Sequence, residues 1–298
     1  MAAKAILIPL VLFFISSAAN ADYRVLSIQS ISIAPYELAV AGFEHGFGAS
    51  IERVTLSGLT RNDATRYIRD YNPDLIFAVG RDALLHAKVV DTIPVVFCMI
   101  LNPEAVLGRK ENARGISMYL SPEAHLSRLL NLFPGIRSVG LLYDPAKSGV
   151  YVKGAKQVAL EMSVELIAKP AMRTEEVFSL IDGFRNRVDF FWMLPDTTVV
   201  TPDTFESILA FSFESGIAIL AFAEKYVRSG ATVSISIDAY DIGRQSGEMA
   251  KRIASGTPVT DIANEEARNA KTAVNSRIAG KLGIPIDQNA IKDIIVIK

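Results

Sequence analysis

Short apolar runs alternate with longer amphipathic segments along most of this sequence, and that alternation constrains the fold more than any other feature. The apolar runs are nearly continuous, which is typical of strands buried on both faces of a parallel sheet. The eight clearest runs are residues 23–28, 51–56, 74–79, 93–99, 138–143, 164–169, 189–194 and 217–221. Helical patterns occupy residues 38–47, 62–71, 81–89, 122–132, 149–162, 174–185 and 202–214. Repeated strand–helix–strand units of this kind predict an α/β protein.

The strands fall into two sets of four, and the second set follows the first at an offset of roughly 115 residues. In residues 72–82 and again in 187–197, an aspartate, Asp74 or Asp189, opens a strand, and polar residues follow where the next helix begins. We therefore predict two similar, doubly wound parallel-sheet lobes. One long open sheet with coincidental spacing is the alternative.

The elements near the end of the chain indicate that it returns to the first lobe before finishing. A strand pattern at 231–237 and a helix pattern at 240–253 follow the second set, and short elements occur later at 272–274, 276–282 and 293–297. We expect the first lobe to contain residues 22–117 with 230–260, and the second to contain 118–229 with 261–298. Several crossings between the lobes would form a hinge.

The first 21 residues have the pattern of a cleaved signal peptide. Lys4 precedes the apolar stretch 5–15, and Ala19-Asn20-Ala21 supplies small residues before the expected mature start near Asp22. No cysteine stands near this point to carry a lipid. We therefore expect secretion into the periplasm as a soluble protein, and an uncleaved N-terminal anchor is the alternative.

The charge balance argues against a nucleic-acid-binding protein, and the single cysteine excludes an intramolecular disulfide. The formal net charge is -1 at pH 7, and without a basic run no nucleic-acid partner is expected. Cys98 has no partner for an intramolecular disulfide, and its place in the apolar run 93–98 predicts a small buried hydrophobe.

Motifs for catalysis, metal binding or a cofactor are missing. Neither a P-loop nor a G-x-S-x-G elbow occurs. Each histidine stands alone in a predicted helix without metal-ligand neighbours, so we expect no metal and no cofactor. The histidines, interpreted as solvated or partly packed, are His45, His86 and His125. The glycines Gly42, Gly46 and Gly48 lie in and after a helix, not in the strand-to-helix turn that binds a dinucleotide.

The candidate binding residues lie where predicted strands end, because open α/β sheets bind ligands beyond the carboxyl ends of their strands. Helix N-termini there favour an anionic group, whereas an acid and aromatic faces suit an amine and a flat ring. The predicted ligand-binding residues are Gln29, Ser30, Tyr36, Gly80, Arg81, Asp82, Asn102, Tyr143, Asp144, Asp196, Thr197, Thr198, Phe222 and Asp238.

Several acids of this set have a structural interpretation as well. Asp82, Asp144 and Asp196 stand at helix or turn starts, where a carboxylate caps backbone amides, and we favour capping over general acid–base catalysis. Trp192 is placed in the core because it lies in the middle of a predicted strand.

Six segments of the chain resemble the solute-binding proteins of ABC transporters that have the type I periplasmic-binding-protein fold. The resemblance is to the subgroup that includes binders of tryptophan and other aromatic amino acids. The segments are residues 73–79, 93–97, 139–145, 195–199, 240–250 and 274–275. The resemblance implies two hinged lobes that close around one small molecule and deliver it to a membrane permease.

Only some of the loops expected at the cleft match the family's sequence pattern. The loop that begins Pro195-Asp196-Thr197 is similar to the family's cleft loop on the second lobe. The stretches 80–82 and 101–103 depart from the family's pattern, so the identity of the ligand does not carry over.

Together these observations predict a monomeric, extracytoplasmic solute-binding protein of an ABC-type uptake system, and not an enzyme. Its ligand would be a small molecule such as an amino acid or a related carboxylate. One alternative is a ligand-sensing subunit that reports occupancy to a membrane receptor or histidine kinase. The other is a hydrolase or transferase on an α/β scaffold.

Overall fold

The computed structural model describes residues 23–101, 103–108, 111–292 and 294–298, where the chain forms two β-sheets flanked by helices. The predicted signal peptide, residues 1–21, lies outside the described residues. The strands are β1 (Val25–Gln29), β2 (Glu52–Thr55), β3 (Leu75–Val79), β4 (Val95–Cys98), β5 (Ala113–Gly115), β6 (Ser138–Tyr143), β7 (Glu165–Pro170), β8 (Phe190–Trp192), β9 (Ala218–Ala221), β10 (Val233–Ile237), β11 (Ala270–Asn275) and β12 (Ile295–Ile297).

Helices connect these strands on both faces of the sheets. The α-helices are α1 (Ala34–Phe47), α2 (Arg61–Tyr71), α3 (Arg81–Ala87), α4 (Pro103–Leu107), α5 (Pro122–Leu132), α6 (Pro145–Glu161), α7 (Thr174–Leu180), α8 (Pro202–Ser215), α9 (Glu224–Arg228), α10 (Ala239–Ala254) and α11 (Ser276–Lys281). Short 3-10 helices follow α7 and α10, at Ile181–Phe184 and Val259–Asp261. No helix in the described part of the chain has the length and apolar character needed to cross a membrane.

The first sheet has the order β2-β1-β3-β4-β5 and is parallel throughout. Its central strands β1 and β3 are entirely buried, because helices cover both faces of the sheet. On one face Phe77 stacks on Phe43 of α1 with ring centroids 4.0 Å apart. On the edge strand β2, Glu52 and Arg53 are exposed, and such charges discourage pairing with another chain.

The second sheet has the order β12-β11-β10-β9-β8-β6-β7, and its paired strands are parallel except for β10 and β11. The prediction of two doubly wound α/β lobes is therefore confirmed. The second sheet contains the predicted set of four strands, the two late strands β11 and β12 that were also expected there, and β10. The elements β5, α4 and α9 were not predicted, because three to five residues are too few to show a period.

The two lobes use the same device where their strands begin. Asp74, just before β3, accepts a hydrogen bond from the backbone N–H of Arg24, just before β1, at 2.8 Å. Asp189, just before β8, accepts from the N–H groups of Arg137 and Ser138, at the start of β6, at 2.8 and 2.9 Å. Each aspartate thus joins the starts of two neighbouring strands, as the repeat in the sequence indicated.

The late part of the chain divides between the lobes differently from the predicted boundaries. Strand β10, which we assigned to the first lobe, lies in the second sheet, because it pairs with β9 and β11. The helix α10 returns to the first lobe. Residues 262–265 also stay there, since Arg114 Nε donates to the carbonyl of Ile262 at 2.6 Å and Gly115 N to Asn264 Oδ1 at 3.0 Å. The chain crosses between the lobes near residues 116–121, 238 and 266–270.

Helices α1 and α10 approach each other at backbone distance through two pairs of glycines. A Cβ atom on Gly243 would overlap the carbonyl oxygen of Ala39, and one on Gly46 would overlap that of Arg244. Gly42 and Gly247 are equally tight against the opposite helix. The sequence Gly42-x-x-x-Gly46, which superficially resembled a nucleotide fingerprint, therefore serves helix packing.

We expect Gly243→Ala to lower the free energy of unfolding by about 3 kcal/mol, because backbone atoms cannot move aside as a flexible side chain would. Gly280→Ala is the matched control, since Gly280 is also helical but has no atom within 4 Å of the place that an added methyl group would take. There the substitution should raise stability by about 0.5–1 kcal/mol through helix propensity. Urea denaturation measures both, and equal effects would contradict the close-packing interpretation.

Candidate functional site

A cavity of about 650 Å³ lies between the two lobes. Phe97, Leu101 and Glu104 line it from the first lobe. The second lobe contributes the first turns of α6, from Pro145 to Gly154, and the crossing segments contribute Ser117, Tyr119, Asn264 and Glu266. The cavity therefore borders both lobes and the connections between them, and its volume suits a small organic molecule.

Tyr119 and Tyr151, which line this cavity, belong to a group of packed aromatic side chains. Tyr119 and Tyr151 stack with ring centroids 4.9 Å apart and an interplanar angle of 27°. The Trp192 ring meets Tyr151 edge-on at 5.9 Å, and His125 lies 5.2 Å from Trp192. These four residues and Phe222 also line a smaller cavity of about 40 Å³ that shares Leu101, Tyr119 and Tyr151 with the larger one. The site thus offers flat, apolar surfaces at its base.

Hydrogen bonds orient Tyr151 and His125 within the aromatic group. The Tyr151 hydroxyl donates to the carbonyl of Leu120 at 3.2 Å and lies 3.0 Å from His125 Nδ1. Burial lowers the pKa of His125 to about 4, so the imidazole is neutral at ordinary pH. Burial likewise raises the pKa of Tyr151 well above its usual value. His125 is buried within this group, whereas the sequence suggested a more exposed helix residue.

The low pKa of His125 predicts a specific pH dependence of stability. In the unfolded chain His125 binds a proton with a pKa near 6.5, whereas in the folded protein it is protonated only near pH 4. Stability is therefore complete above pH 6.5 and falls as the pH drops towards 4, by at most about 1.4 kcal/mol per pH unit. His125→Gln should flatten this part of the stability profile, measured by urea denaturation at several pH values. The exposed His45→Gln is the control, and an equal change in both variants would contradict the assignment.

The polar residues at the carboxyl end of the second sheet hold one another in place. Asp196 is buried, and its carboxylate accepts from Asp144 N at 2.8 Å, Ser148 Oγ at 2.7 Å and Thr198 N at 2.9 Å. Asp144 caps α6 by accepting from Ala146 N at 2.9 Å. The hydrogen bond from Thr198 Oγ1, at 2.7 Å, lowers the pKa of Asp144. Both aspartates therefore have a local structural function, as the capping interpretation suggested.

Lys147 completes this polar group on the side of the cavity. Its Nζ donates to the hydroxyls of Thr197 and Thr198, both at 2.7 Å. The lysine lines the cavity, whereas the two predicted threonines do not. The loops after β6 and β8 thus meet the cleft through a residue that the sequence analysis did not select.

Asp196→Ala should lower the free energy of unfolding by about 2–4 kcal/mol, because it leaves two backbone amides and one hydroxyl without their partner. Glu206→Ala, on the exposed side of α8, should change it by less than about 0.5 kcal/mol. Chemical denaturation of both variants tests this difference. Equal stabilities would show that Asp196 is not a structural centre of the second lobe.

The predicted residues of the first lobe form a separate cluster at the end of β1 and β3. Ser30 Oγ accepts from Ala83 N at 2.9 Å and so caps the start of α3. Gly80 has a φ of 91°, and a Cβ there would stand 2.6 Å from the Tyr36 hydroxyl and 2.7 Å from Ser30 Oγ. Gln29 is buried at the end of β1, and its Oε1 has no hydrogen-bond partner in the described structure. None of these residues lines the cavity between the lobes.

The remaining predicted residues occupy varied positions. Arg81 and Asp82 are exposed and 3.7 Å apart. Tyr143 is half-buried, and Asp238 caps α10 by accepting from Tyr240 N at 3.0 Å. Phe222 lines the smaller cavity of the site. Asn102 lies outside the described residues, so its role stays a prediction.

Sequence reasoning missed Tyr119, Tyr151, Lys147, Glu104 and Glu266. Tyr119 and Glu266 lie on crossing segments, which no rule about strand ends selects. The rule that ligands bind beyond strand ends could have selected Lys147 and Tyr151, because both lie in the first turns of the helix that follows β6. The spacing of Lys147 and Tyr151, four residues apart on one helical face, was the available signal.

A network of ions surrounds the crossing at residues 266–270. Asp241, buried on α10, lies 2.7 Å from Arg244 and 3.1 Å from Arg268, and Glu248 lies 2.8 Å from Arg268. Burial alone would raise the pKa of Asp241, but the hydrogen bonds from Arg268 and Arg244 keep it below its usual value. The third crossing is thereby attached to the first lobe before the chain enters β11.

Comparison with known proteins identifies related chains. The family described as ABC transporter substrate binding protein has a sequence model that matches residues 59–294. A tyrosine-binding protein of Clostridioides difficile (strain R20291) is 27% identical to this chain over 68% of its length and 61% of the relative's. The chain thus spans about three fifths of the length of that curated relative.

Two solved structures share the fold. The ligand-free, open structure of a substrate binding protein with adhesive properties from Clostridium difficile has a TM-score of 0.75 at 21% identity, covering 93% of this chain and 99% of that one. An ABC domain from Streptococcus pneumonia in complex with L-Trp has a TM-score of 0.63 at 21% identity, covering 92% and 99%. At this identity the likeness concerns the fold, and it agrees with the resemblance drawn from the sequence.

Proposed function

Because this chain belongs to the family of ABC transporter substrate binding proteins, we propose that it captures a small molecule between its lobes and delivers it to an ABC-type permease. The observation that carries this proposal is the interlobe cavity of about 650 Å³, with walls from both lobes and from the crossing segments. A ligand there would contact both lobes at once. Such a ligand favours the closed arrangement by its greater affinity for it, which is the physical basis of capture by closure.

The arrangement of polar groups supports binding without turnover. The buried carboxylates of Asp144 and Asp196 accept hydrogen bonds from their own lobe. His125 contacts Tyr151 and is held neutral by burial. A general acid or base needs an available proton site beside the substrate, whereas these groups serve the structure of the second lobe. In the proposed function the ligand is released unchanged.

We infer that the ligand is an amino acid or a related carboxylate that carries a flat ring. The stacked pair of Tyr119 and Tyr151 offers a surface on which a planar group can lie. The tyrosine-binding relative supports the same class. The proposed location is extracytoplasmic, in keeping with the signal-like pattern of residues 1–21 and with delivery to a permease.

Native mass spectrometry of the purified protein, followed by a thermal-shift screen of amino acids and aromatic carboxylates, tests capture directly. A bound ligand raises the apparent stability by mass action, by about 2.7 kcal/mol at a hundredfold excess over Kd. Small-angle scattering should show a smaller radius of gyration with ligand than without. No co-purified molecule and no stabilising compound would contradict the proposed function.

Tyr119→Ala should raise the Kd of the best ligand from that screen at least about tenfold, because it removes half of the stacked pair. Tyr67→Ala is the control, since Tyr67 lies on α2 and bonds Glu52, away from the cavity. Isothermal titration calorimetry measures both affinities. Equal losses in the two variants would place the ligand elsewhere.

A further inference from the structure

Lys147 is the sole cation among the described residues that line the interlobe cavity. It stands in the first turn of α6, where the partial positive charge of the helix N-terminus adds to that of the ammonium group. Ser117, Tyr119 and Tyr151 line the same cavity, so the charge faces a space that also contains hydroxyls and the stacked rings.

The ammonium group is held in position by neutral partners. Thr197 Oγ1 and Thr198 Oγ1 each accept one of its protons at 2.7 Å. The hydroxyl of Thr198 donates its own proton to Asp144, so its oxygen turns a lone pair towards Lys147. A lysine has three N–H donors, and two of them are used here. The third donor remains for another group, although the charge of Lys147 also helps to lower the pKa of the nearby Asp144.

No ion pair within the described residues involves Lys147, although the second lobe has two buried carboxylates close by. Asp144 and Asp196 are occupied by the backbone amides and hydroxyls around them. A positive charge beside a partly enclosed cavity, without a direct anionic partner, favours an anion from outside the chain.

From this geometry, and resting on the proposed function, we propose that Lys147 binds the anionic group of the ligand and determines which ligands are accepted. Thr197 and Thr198 are positioning residues that aim the ammonium group. The opposite wall carries Glu104, and the crossing segment carries Glu266. A second negative charge on the ligand would meet these carboxylates. The site therefore selects a ring-bearing molecule with one anionic group over its neutral amide and over a dianion.

Three ring-matched probes test this selection: 3-phenylpropionate, 3-phenylpropanamide and phenylsuccinate. The wild-type protein should bind the monoanion at least about tenfold more tightly than the amide or the dianion, a difference of about 1.4 kcal/mol. Lys147→Gln should abolish the preference for the acid, which should then bind no more tightly than the amide, because Glu104 and Glu266 still line the cavity. It should also remove the weakening of acid binding by added salt, because that weakening comes from screening of the lysine's charge.

Lys153→Gln is the matched control, since Lys153 is an exposed lysine of the same helix that does not line the cavity. This variant should keep the wild-type preference. Thr197→Val should weaken acid binding and leave amide binding unchanged, which a merely structural role of the threonine would not do. Urea denaturation of each variant shows whether it is folded.

A preference for the acid that survives in Lys147→Gln would overturn the assignment, and so would an amide that binds the wild-type protein as tightly as the acid. The proposed capture of a small molecule survives either result. Failure of every acid to bind also overturns the role of Lys147, and capture still stands if a neutral compound binds. Only the absence of any stabilising compound in the wider screen contradicts capture itself.

Discussion

The backbone contact between α1 and α10 is the constraint on which the two-lobed arrangement depends. Helix α10 comes late in the chain, yet it packs on the first helix of the described structure. Glycines at Gly42, Gly46, Gly243 and Gly247 allow this approach because any side chain there would overlap backbone atoms of the other helix. The contact draws a late segment out of the second lobe and into the first. It thereby creates the second and third crossings, in addition to the one that follows β5.

Those crossings determine what the cleft is made of. Tyr119 belongs to the first crossing, and Asn264 and Glu266 lie beside the third, so the site includes the very segments about which the lobes would move. The ion network of Asp241, Arg268 and Glu248 fastens the third crossing to α10. Because Asp241 is buried, removing one of its arginine partners would leave its charge poorly paired inside the protein.

Within the second lobe, the buried carboxylates bond to neighbouring groups of the same lobe, whereas the exposed Lys147 lines the cavity. Asp196 connects the loops after β6 and β8, and Asp144 caps α6, so neither carboxylate is available to a ligand. Thr198 joins this internal network to Lys147. The stacked tyrosines beside them provide contact area without charge. In the proposed function, such a site would bind its ligand through one ionic contact and through flat surfaces, which suits reversible capture.

The sequence by itself determined the fold class and the paired lobes, and it predicted ligand binding at the loops that follow the strands. Continuous apolar strands and the repeated aspartates Asp74 and Asp189 are patterns within short stretches of the chain, and such patterns can be recognised from the sequence alone. The tertiary structure alone decided which side chains those loops present. It turned Asp196 inward, brought Tyr119 against Tyr151, and left Lys147 as the cation of the cavity. It also placed β10 in the second lobe and α10 in the first. Each of these outcomes depends on contacts between residues far apart in the chain, and no period or spacing in the sequence records which distant groups will meet.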